Sequence, residues 1–377
     1  MKVALVYDRI NKWGGAERVL LALHKLFPKA PVFTSVYYPQ HAAWAKDFII
    51  KPSFLQRFPH IVGNHELYPF LMPLAFERFS FADYDLVISL TSEAAKGIVT
   101  KPGTKHICYC LTPTRYLWSG YEEYFQDQSF RTFTSPIVSY LRKWDKIAAS
   151  RPDVYLAISQ EVRKRIKNYY AREAMIVYPP VELLSSRHSG KQSASRISNH
   201  INRTDSGQAR MTDYFLIVSR LSKFTKYKRI DLAIQACNEL KLPLKIIGEG
   251  SWKKELQKMA GPSIEFLDNV DDKQLKKYYA QCRALIFPAM EDFGLTVVEA
   301  QGFGKPVIAY RGGGALETIK EGKTGLFFDK QTKDSLKSAL IQFQKMKFDP
   351  SVAIKNAQQF DQAHFEKNFL KLVHQVI

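Results

Sequence analysis

Short apolar runs alternate with amphipathic stretches along most of the chain. The runs have the length and the β-branched content of buried strands. They lie at residues 3–7, 86–90, 107–111 and 154–158 in the first half, and at residues 215–218, 244–247, 284–287 and 306–309 in the second. Amphipathic stretches such as residues 16–26 separate them. Because apolar strands separated by helices are typical of parallel sheets covered on both faces, the pattern predicts an α/β protein with two doubly wound domains.

A polar segment divides the two halves. It is rich in Ser, Asn, His and Gln, and its five cations face a single acid, Asp205. Such a composition buries too little apolar surface to offset the entropy lost on ordering. We therefore predict an N-terminal domain, a flexible basic interdomain loop, a C-terminal domain and a helical segment that could cross back to the N-terminal domain. Their predicted bounds are residues 1–183, 184–212, 213–345 and 346–377.

The composition is globular, with 46% hydrophobic and 24% charged residues. The net charge of +19 implies a polyanionic partner, which could be nucleic acid, an anionic membrane surface or a phosphate-bearing small molecule. No apolar stretch approaches the roughly 20 residues of a membrane span, and the N-terminus has no signal-peptide pattern. Four scattered cysteines are too few for a disulfide framework. We therefore expect a cytoplasmic protein.

The segment around Gly294 contains the strongest candidates for functional residues. A strand ends just before it and a helix begins at about Leu295, so Gly294 lies where the N–H groups of a helix N-terminus can bind an anion. Glu291 precedes that helix and Glu299 lies about one turn inside it. Two carboxylates so placed can accept hydrogen bonds from sugar or ribose hydroxyls on either side of a phosphate. The alternative interpretation is a capping acid and a solvent-exposed helical Glu.

A basic cluster follows the first strand of the second half, and it includes Arg220 and Lys228. Such a pair can hold a diphosphate, because Arg offers a planar fork and Lys a point charge. The alternative is an ordinary solvated loop. Glycine turns at residues 248–250 and 312–314 allow close backbone approach, although neither is a dinucleotide-binding fingerprint.

The first half offers weaker candidates. Gly14 and Gly15 follow the first strand and precede a helix, and residues 110–118 leave a strand through a proline turn that could line a cleft. Asp83 and Asp85 have the spacing of a metal-binding pair. They lie at the start of a strand, whereas sites in parallel sheets cluster at the carboxyl ends, so we predict no metal site there.

Taken in order, these segments resemble glycosyltransferase family 4, and most of all its mannosyltransferase-like branch in O-antigen and exopolysaccharide biosynthesis. The most specific match is Glu291 to Glu299, which has the family's Glu-x7-Glu spacing. The resemblance covers nearly the whole chain except residues 184–212. Its further matches are Gly14–Glu17, Tyr84–Ser89, Thr112–Trp118, Tyr178–Val181, Ser219–Leu221, Lys228–Asp231, Gly304–Ala309, Gly313–Gly314, Glu317 and Thr324–Gly325.

The resemblance implies a GT-B fold, in which two Rossmann-like doubly wound domains face a central cleft. It implies a retaining, metal-independent transfer of a hexose, with mannose favoured, in surface polysaccharide biosynthesis. The donor would be a nucleotide-diphosphate sugar, GDP-mannose before a UDP-sugar, and it serves as co-substrate with no separate cofactor. The acceptor would be a glycan or a polyprenyl-diphosphate-linked sugar. Nucleic acid is not an expected partner.

The resemblance also implies roles for individual residues. The residues that would hold the diphosphate and the transferred sugar, and so act in catalysis, are Arg220, Lys228 and Glu291. The other donor-binding residues would be Gly14, Gly15, Phe293, Gly294, Leu295 and Glu299, the last on the ribose hydroxyls. The residues facing the acceptor would be Arg115 and Tyr116.

One departure from the family pattern concerns catalysis. The family often has His just before Thr-Pro-x-Arg, whereas this chain has Leu111. Leucine can neither donate a hydrogen bond nor move a proton. Three hypotheses therefore remain: a transferase, a noncatalytic sugar-nucleotide-binding protein of the same fold, and a nucleic-acid-binding protein. The last is motivated only by net charge and lacks a recognisable binding module.

A lipid-linked acceptor would bring the protein to the anionic inner face of the cell membrane, where basic residues are attracted. The densest cationic run is Arg163-Lys164-Arg165 with Lys167, on a predicted helix. This run predicts a peripheral membrane contact, and a solvated helix is the alternative.

Overall fold

The structure is a computed structural model, and it describes residues 1–58, 68–183, 214–268 and 270–377. The chain divides into two compact units. Unit 1 comprises Met1–Pro180 and Ala363–Ile377, and unit 2 comprises Val181–Gln362. The predicted interdomain loop at residues 184–212 lies outside the described residues. Of the predicted C-terminal segment, residues 346–362 belong to unit 2 and the remainder to unit 1.

Each unit contains one parallel sheet. The strands of unit 1 are β1 (Val3–Tyr7), β2 (Val32–Thr34), β3 (Ile50–Pro52), β4 (Leu86–Thr91), β5 (Lys105–Cys110), β6 (Val154–Ala157) and β7 (Met175–Ile176). Those of unit 2 are β8 (Phe215–Val218), β9 (Leu244–Ile247), β10 (Ile264–Leu267), β11 (Ala284–Phe287), β12 (Val307–Tyr310) and β13 (Gly325–Phe328). Their spatial orders are β3-β2-β1-β4-β5-β6-β7 and β10-β9-β8-β11-β12-β13. This confirms the predicted pair of doubly wound domains.

Helices connect the strands. Those of unit 1 that precede unit 2 are α1 (Gly15–Leu26), α2 (Met72–Glu77), α3 (Tyr121–Tyr124), α4 (Gln128–Ala148) and α5 (Gln160–Tyr170). Those of unit 2 are α6 (Ile230–Leu240), α7 (Lys253–Met259), α8 (Asp272–Gln281), α9 (Leu295–Gly302), α10 (Ala315–Thr318), α11 (Lys333–Gln344) and α12 (Pro350–Ala357). The last helix is α13 (Gln362–Val376), and its Phe365 and Phe369 rings pack near Tyr109 of β5.

Side-chain caps fix where several helices begin. The Asp127 carboxylate accepts a hydrogen bond from Phe130 N (2.7 Å) at the start of α4, and Ser159 Oγ accepts one from Val162 N (3.1 Å) at the start of α5. Asp271 forms a reciprocal capping box before α8. Such caps satisfy N–H groups that have no acceptor within the helix.

The sheet of unit 2 is buried on both faces. Phe215, Ile246 and Ile286 pack into one core, whereas Leu216 and Leu285 pack into a second core on the opposite face. Leu285 of β11 lies opposite Leu216 of β8, so the second core runs across the strand pair. This double burial explains why the central strands β8 and β11 are apolar throughout rather than alternating.

In both sheets the strand order reverses at one point, between β1 and β4 in unit 1 and between β8 and β11 in unit 2. Connections leave in opposite directions on the two sides of such a reversal, so a crevice opens at the carboxyl ends of the two strands. Ligands of doubly wound sheets bind in this crevice.

In unit 1 an internal carboxylate occupies the reversal point. Asp8 follows β1 and is 3% exposed. Its Oδ2 accepts hydrogen bonds from Ser92 N (2.6 Å) and Glu93 N (3.0 Å), and its Oδ1 accepts them from Ala94 N (2.9 Å) and Ala95 N (2.8 Å). Burial and the nearby Glu93 charge raise the pKa of Asp8. Four consecutive backbone N–H groups after β4 are thus satisfied by the chain itself.

We expect Asp8→Asn to lower the free energy of unfolding by about 2–3 kcal/mol, because an amide presents an NH2 group to N–H donors and leaves some of them unsatisfied. Urea denaturation measures the change. The matched control is Asp83→Asn, at an exposed position, with an expected change within about 0.5 kcal/mol. Equal effects of the two substitutions would contradict the interpretation.

Candidate active site at the carboxyl edge of the second sheet

Four loops of unit 2 leave the carboxyl ends of neighbouring strands. They follow β8, β9, β11 and β12, and they span residues 219–229, 248–252, 288–294 and 311–314. Because all the strands are parallel, these loops lie at one edge of the sheet. The loops after β8 and β11 flank the reversal point.

Two of the predicted catalytic residues meet there. Lys228 ends a short 3-10 helix after β8, and Glu291 lies in the loop after β11. Lys228 Nζ is 2.6 Å from Glu291 Oε1, and the two side chains are 17% and 24% exposed. The structure therefore places a partly shielded ion pair across the reversal point, with an acidic and a basic group both able to reach a ligand.

The glycine loop after β12 packs against the backbone that carries Glu291. Gly314 N donates a hydrogen bond to Glu291 O at 2.9 Å. A Cβ on Gly313 would lie 2.2 Å from Glu291 O, and one on Gly314 would lie 2.3 Å from Phe293 Cα. The close backbone approach predicted at residues 312–314 is thus made to the protein's own Glu291 loop.

The start of α9 lies four residues beyond Glu291. Gly294 caps this helix in a left-handed conformation (φ +85°), and a Cβ there would lie 3.0 Å from the Phe287 ring. The buried Phe293 packs edge-on against Phe360, with ring centroids 5.5 Å apart. Leu295 begins the helix, whose first N–H groups lack acceptors within it. Phe293, Gly294 and Leu295 are therefore held in one rigid turn beside Glu291.

Glu299 is oriented by a residue that the sequence did not indicate. The Tyr279 hydroxyl on α8 donates to Glu299 Oε2 at 2.7 Å. The Tyr279 ring is buried and stacks on Phe303, with centroids 5.5 Å apart. No motif links positions 279 and 299, and only the packing of α8 against α9 brings them together.

Arg220 is exposed just beyond β8, and its backbone is held by the loop after β9. Leu221 N donates to Glu249 O at 2.9 Å. A Cβ on Gly248 would lie 1.8 Å from Ser219 O, and one on Gly250 would lie 2.3 Å from Leu221 O. The two glycines therefore permit a contact that fixes where the Arg220 side chain begins.

The remaining predicted site residues belong to unit 1, whereas the seven described above belong to unit 2. Gly14 caps α1 and Gly15 is its first residue. Arg115 and Tyr116 lie in the turn after β5, at the same edge of the first sheet. Burial, reinforced by the Glu93 charge, raises the pKa of the Tyr116 hydroxyl well above its usual value.

A buried carboxylate anchors that turn. Asp145 of α4 accepts hydrogen bonds from Thr114 Oγ1 (3.1 Å) and Trp118 Nε1 (2.7 Å), on either side of Arg115 and Tyr116. It also pairs with Lys96 at 2.5 Å, and both side chains are 1% exposed. Burial alone would lower the pKa of Lys96, but the neighbouring Asp145 carboxylate raises it above its usual value. The sequence did not indicate this ion pair.

Leu111 directly follows β5, which ends one residue earlier than predicted. Its side chain is buried, and its backbone N donates to Thr91 O at 2.8 Å. The side chain at the position where the resembled family often has His therefore packs as an ordinary apolar residue.

Other candidate chemistry is sparse. In the part of the chain that the structure describes, no three His, Cys, Asp or Glu side chains are arranged to hold a metal ion. Asp85, of the discounted metal-binding pair, accepts a hydrogen bond from Lys2 N at 2.6 Å. The four cysteines are buried free thiols, and burial raises the pKa of Cys108, Cys237 and Cys282 to about 12. None of the described helices has the length and hydrophobicity needed to span a bilayer.

Known proteins share the fold and parts of the sequence. Residues 200–360, which include Glu291 and Glu299, match the family model "Glycosyl transferases group 1". The Anabaena protein HepE, solved in complex with UDP, superposes over 100% of both chains with a TM-score of 0.66 and 19% identity. The fold is GT-B. The predicted fold class is confirmed in both of its Rossmann-like domains.

Two curated relatives are mannosyltransferases by name. The chain is 26% identical over 211 residues to the GDP-mannose-dependent alpha-(1-6)-phosphatidylinositol monomannoside mannosyltransferase of Mycolicibacterium smegmatis, over 50% of this chain and 52% of that protein. It is 25% identical over 191 residues to O-antigen chain mannosyltransferase C of Escherichia coli, over 49% and 46% respectively. The chain thus spans about half the length of these relatives.

We expect Gly314→Ala to lower the free energy of unfolding by about 3 kcal/mol, because the added Cβ must displace the Phe293 backbone. Backbone strain does not contribute to this loss, since φ at Gly314 (−65°) suits alanine. The matched control is Gly322→Ala, where φ is +72° and a Cβ would meet nothing within 4 Å. Left-handed strain alone should cost about 1 kcal/mol there. If urea denaturation shows Gly314→Ala to be the milder substitution, the loop after β12 does not support the Glu291 loop.

Proposed function

We propose that the protein is a retaining, metal-independent GT-B glycosyltransferase. It would move a hexose from a nucleotide-diphosphate sugar to a glycan or lipid-linked acceptor in surface polysaccharide biosynthesis. The observation that carries the proposal is the Lys228–Glu291 ion pair at the reversal point of the second sheet, next to the start of α9. The family model and the names of the two mannosyltransferases support glycosyl transfer.

The ion pair gives each partner a role in donor binding. In the proposal, an incoming diphosphate takes the Lys228 ammonium, and Glu291 is released to accept hydrogen bonds from the hydroxyls of the transferred sugar. Arg220 adds a planar fork for phosphate oxygens, and the N–H groups at the start of α9 add fixed dipoles. These groups would stabilise the charge that develops on the leaving diphosphate.

Glu299 would bind the ribose hydroxyls, with Tyr279 as its positioning residue. The hydrogen bond at 2.7 Å holds one carboxylate oxygen, and the stacked Tyr279 ring fixes the direction from which it comes. A carboxylate held in this way loses little rotamer entropy when it accepts a hydroxyl. Donor affinity should therefore depend on the Tyr279 hydroxyl, although in this proposal that hydroxyl does not contact the donor.

Retention of configuration would follow from attack on the same face of the sugar that the diphosphate leaves. The bond from the anomeric carbon to the phosphate oxygen breaks, and a bond from that carbon to the acceptor oxygen forms. The acceptor proton passes to the departing phosphate oxygen. This step needs no side-chain base, so it can proceed with Leu111 in place of His. Gly14 and Gly15 on the donor side, and Arg115 and Tyr116 on the acceptor side, keep their predicted roles.

GDP-mannose is the favoured donor, because the name of the mycobacterial relative specifies it. A UDP-sugar is the second choice, because the Anabaena structure holds UDP. The alternative function is sugar-nucleotide binding without turnover, and the buried, apolar Leu111 motivates it. Contact with the inner face of the membrane remains part of the proposal.

The first experiment is a titration of the purified protein with GDP-mannose, UDP-glucose, UDP-N-acetylglucosamine and dTDP-rhamnose in EDTA, followed by donor hydrolysis. Glu299→Ala and Arg220→Ala should each weaken binding of the one preferred donor by about 10- to 100-fold, because each removes a hydrogen bond that involves a charge. Glu239→Ala, which removes a carboxylate on α6 paired with Lys333 and Lys337, is the control and should bind normally.

The outcomes separate the hypotheses. Binding with hydrolysis supports a transferase, whereas tight binding without hydrolysis or transfer to any acceptor supports the noncatalytic alternative. Equal loss in Glu239→Ala and Glu299→Ala would rule out the assigned donor site. Donor binding that disappears in EDTA and returns with a divalent cation would refute metal independence.

Tyr279→Phe tests the positioning of Glu299. It keeps the ring stacked on Phe303 and removes only the hydroxyl, so we expect the donor KM to rise about 5- to 10-fold with kcat within about 2-fold. Tyr278→Phe is the matched control, since Tyr278 is the neighbour on α8 and packs near Tyr214. An unchanged donor KM in Tyr279→Phe would show that Glu299 needs no such support.

A further inference from the structure

Helix α4 exposes a stripe of large apolar side chains. One face of this 21-residue helix is buried in unit 1 through Val138, Leu141, Asp145 and Ala148. Next to that face, five large apolar residues are between 37% and 80% exposed. They are Phe130, Phe133, Ile137, Tyr140 and Ile147. Their spacing of three, four, three and seven residues puts them along one side of the helix.

The charged residues of α4 are also distributed unevenly along the helix. The helix has four cations, namely Arg131, Arg142, Lys143 and Lys146. Its single acid, Asp145, is 1% exposed and paired inside unit 1 with Lys96. Arg131 is paired with Glu122 of α3, so the positive charge of the outer face is concentrated in the last two turns.

Aromatic rings accompany those cations. The Arg142 guanidinium lies 4.4 Å from the centre of the Tyr121 ring, and Lys146 Nζ lies 5.6 Å from that of Trp118. Together with Lys143 and Val138 these residues line an open groove of about 480 Å³. Indole and phenol rings beside Lys and Arg are the side chains that settle at a membrane–water interface.

We propose that α4 lies in the surface of an anionic bilayer. The apolar stripe enters the boundary between headgroups and acyl chains, and Arg142, Lys143 and Lys146 contact lipid phosphates. A helix with one apolar side, whose exposed charges are all cationic, has the pattern of interfacial helices. The inference rests on the membrane contact of the proposed function and deepens it by naming the helix and the lipid class, although the contact itself requires neither donor nor turnover.

Charge favours a lipid surface over a second copy of this chain. Two copies meeting through the last two turns of α4 would bring Lys143 and Lys146 towards the same residues of the partner, and like charges at an interface disfavour association. The net charge of +19 acts in the same direction. An anionic bilayer instead provides the opposite charge over the whole length of the helix.

The structure also weakens the case for a membrane contact through the cationic run on α5 that the sequence indicated. Arg165 is buried and pairs with Glu161 at 2.9 Å, and Lys167 pairs with Glu173 at 2.8 Å. Two of its four cations are therefore offset by neighbouring acids. We therefore assign the membrane contact to α4 and not to α5.

The test is sedimentation of the full-length protein with vesicles of phosphatidylcholine containing 30% phosphatidylglycerol, without nucleotide, against vesicles of phosphatidylcholine alone. We expect binding only to the anionic vesicles. Lys143→Gln with Lys146→Gln should weaken it about 25-fold, from roughly fivefold per cation near the surface. The matched control is Lys164→Gln with Lys167→Gln, which removes two lysines at the same spacing from α5 and should change binding less than twofold.

Phe133→Ser tests the apolar part, and its 80% exposure means that the fold does not depend on it. We expect a several-fold loss of binding that persists at high salt, where the contribution of the lysines is screened. Ile341→Ser, at an exposed position of α11, is the control and should change nothing.

Three results would overturn the proposal: no binding to anionic vesicles, equal losses in the α4 and α5 lysine variants, or a dimer in solution that Phe133→Ser dissociates while lipid does not bind. Donor titration of the same variants should be unchanged. Failure of the membrane contact is thereby distinguished from failure of the proposed donor site.

Discussion

Burial of each parallel sheet on both faces constrains where chemistry can occur in this protein. Side chains in the middle of a strand such as β11 point into one core or the other, so none of them can reach a ligand. Polar and charged groups are therefore found in the loops at the strand ends. The reversal of strand order between β8 and β11 then decides which two loops face each other, and Lys228 and Glu291 are the residues that meet there.

Much of this arrangement follows from local sequence. The strands at 215–218, 244–247 and 284–287 were predicted to the residue, because each is mostly apolar and bounded by polar loops. Five strands were missed: β2, β3 and β7 span only two or three residues and give no periodicity, and β10 and β13 are four-residue strands at the edges of the second sheet. The Glu291–Glu299 segment was identifiable from its spacing. The hydrogen bond from Tyr279 and the contact of Gly314 with the Glu291 loop were not, because both depend on tertiary packing.

Helix α4 shows a related difficulty with charge and hydrophobicity. Its sequence contains two apolar stripes, and only the fold reveals that Leu141 is covered while Phe133 is exposed. On α5 the sequence displays four cations, but the acids that offset two of them become evident only from side-chain positions. A count of charges along the sequence of a helix therefore does not locate a basic surface reliably. The side-chain positions are also needed, because they show which cations are already paired with acids.

The occupied reversal point of unit 1 has a consequence for stoichiometry. The two units repeat the same strand order, but in one the N–H groups after β4 are already bound to Asp8, an anion that cannot dissociate. A second nucleotide would have to displace a covalently tethered competitor at that point. The repeated architecture should therefore take up one nucleotide per chain rather than two.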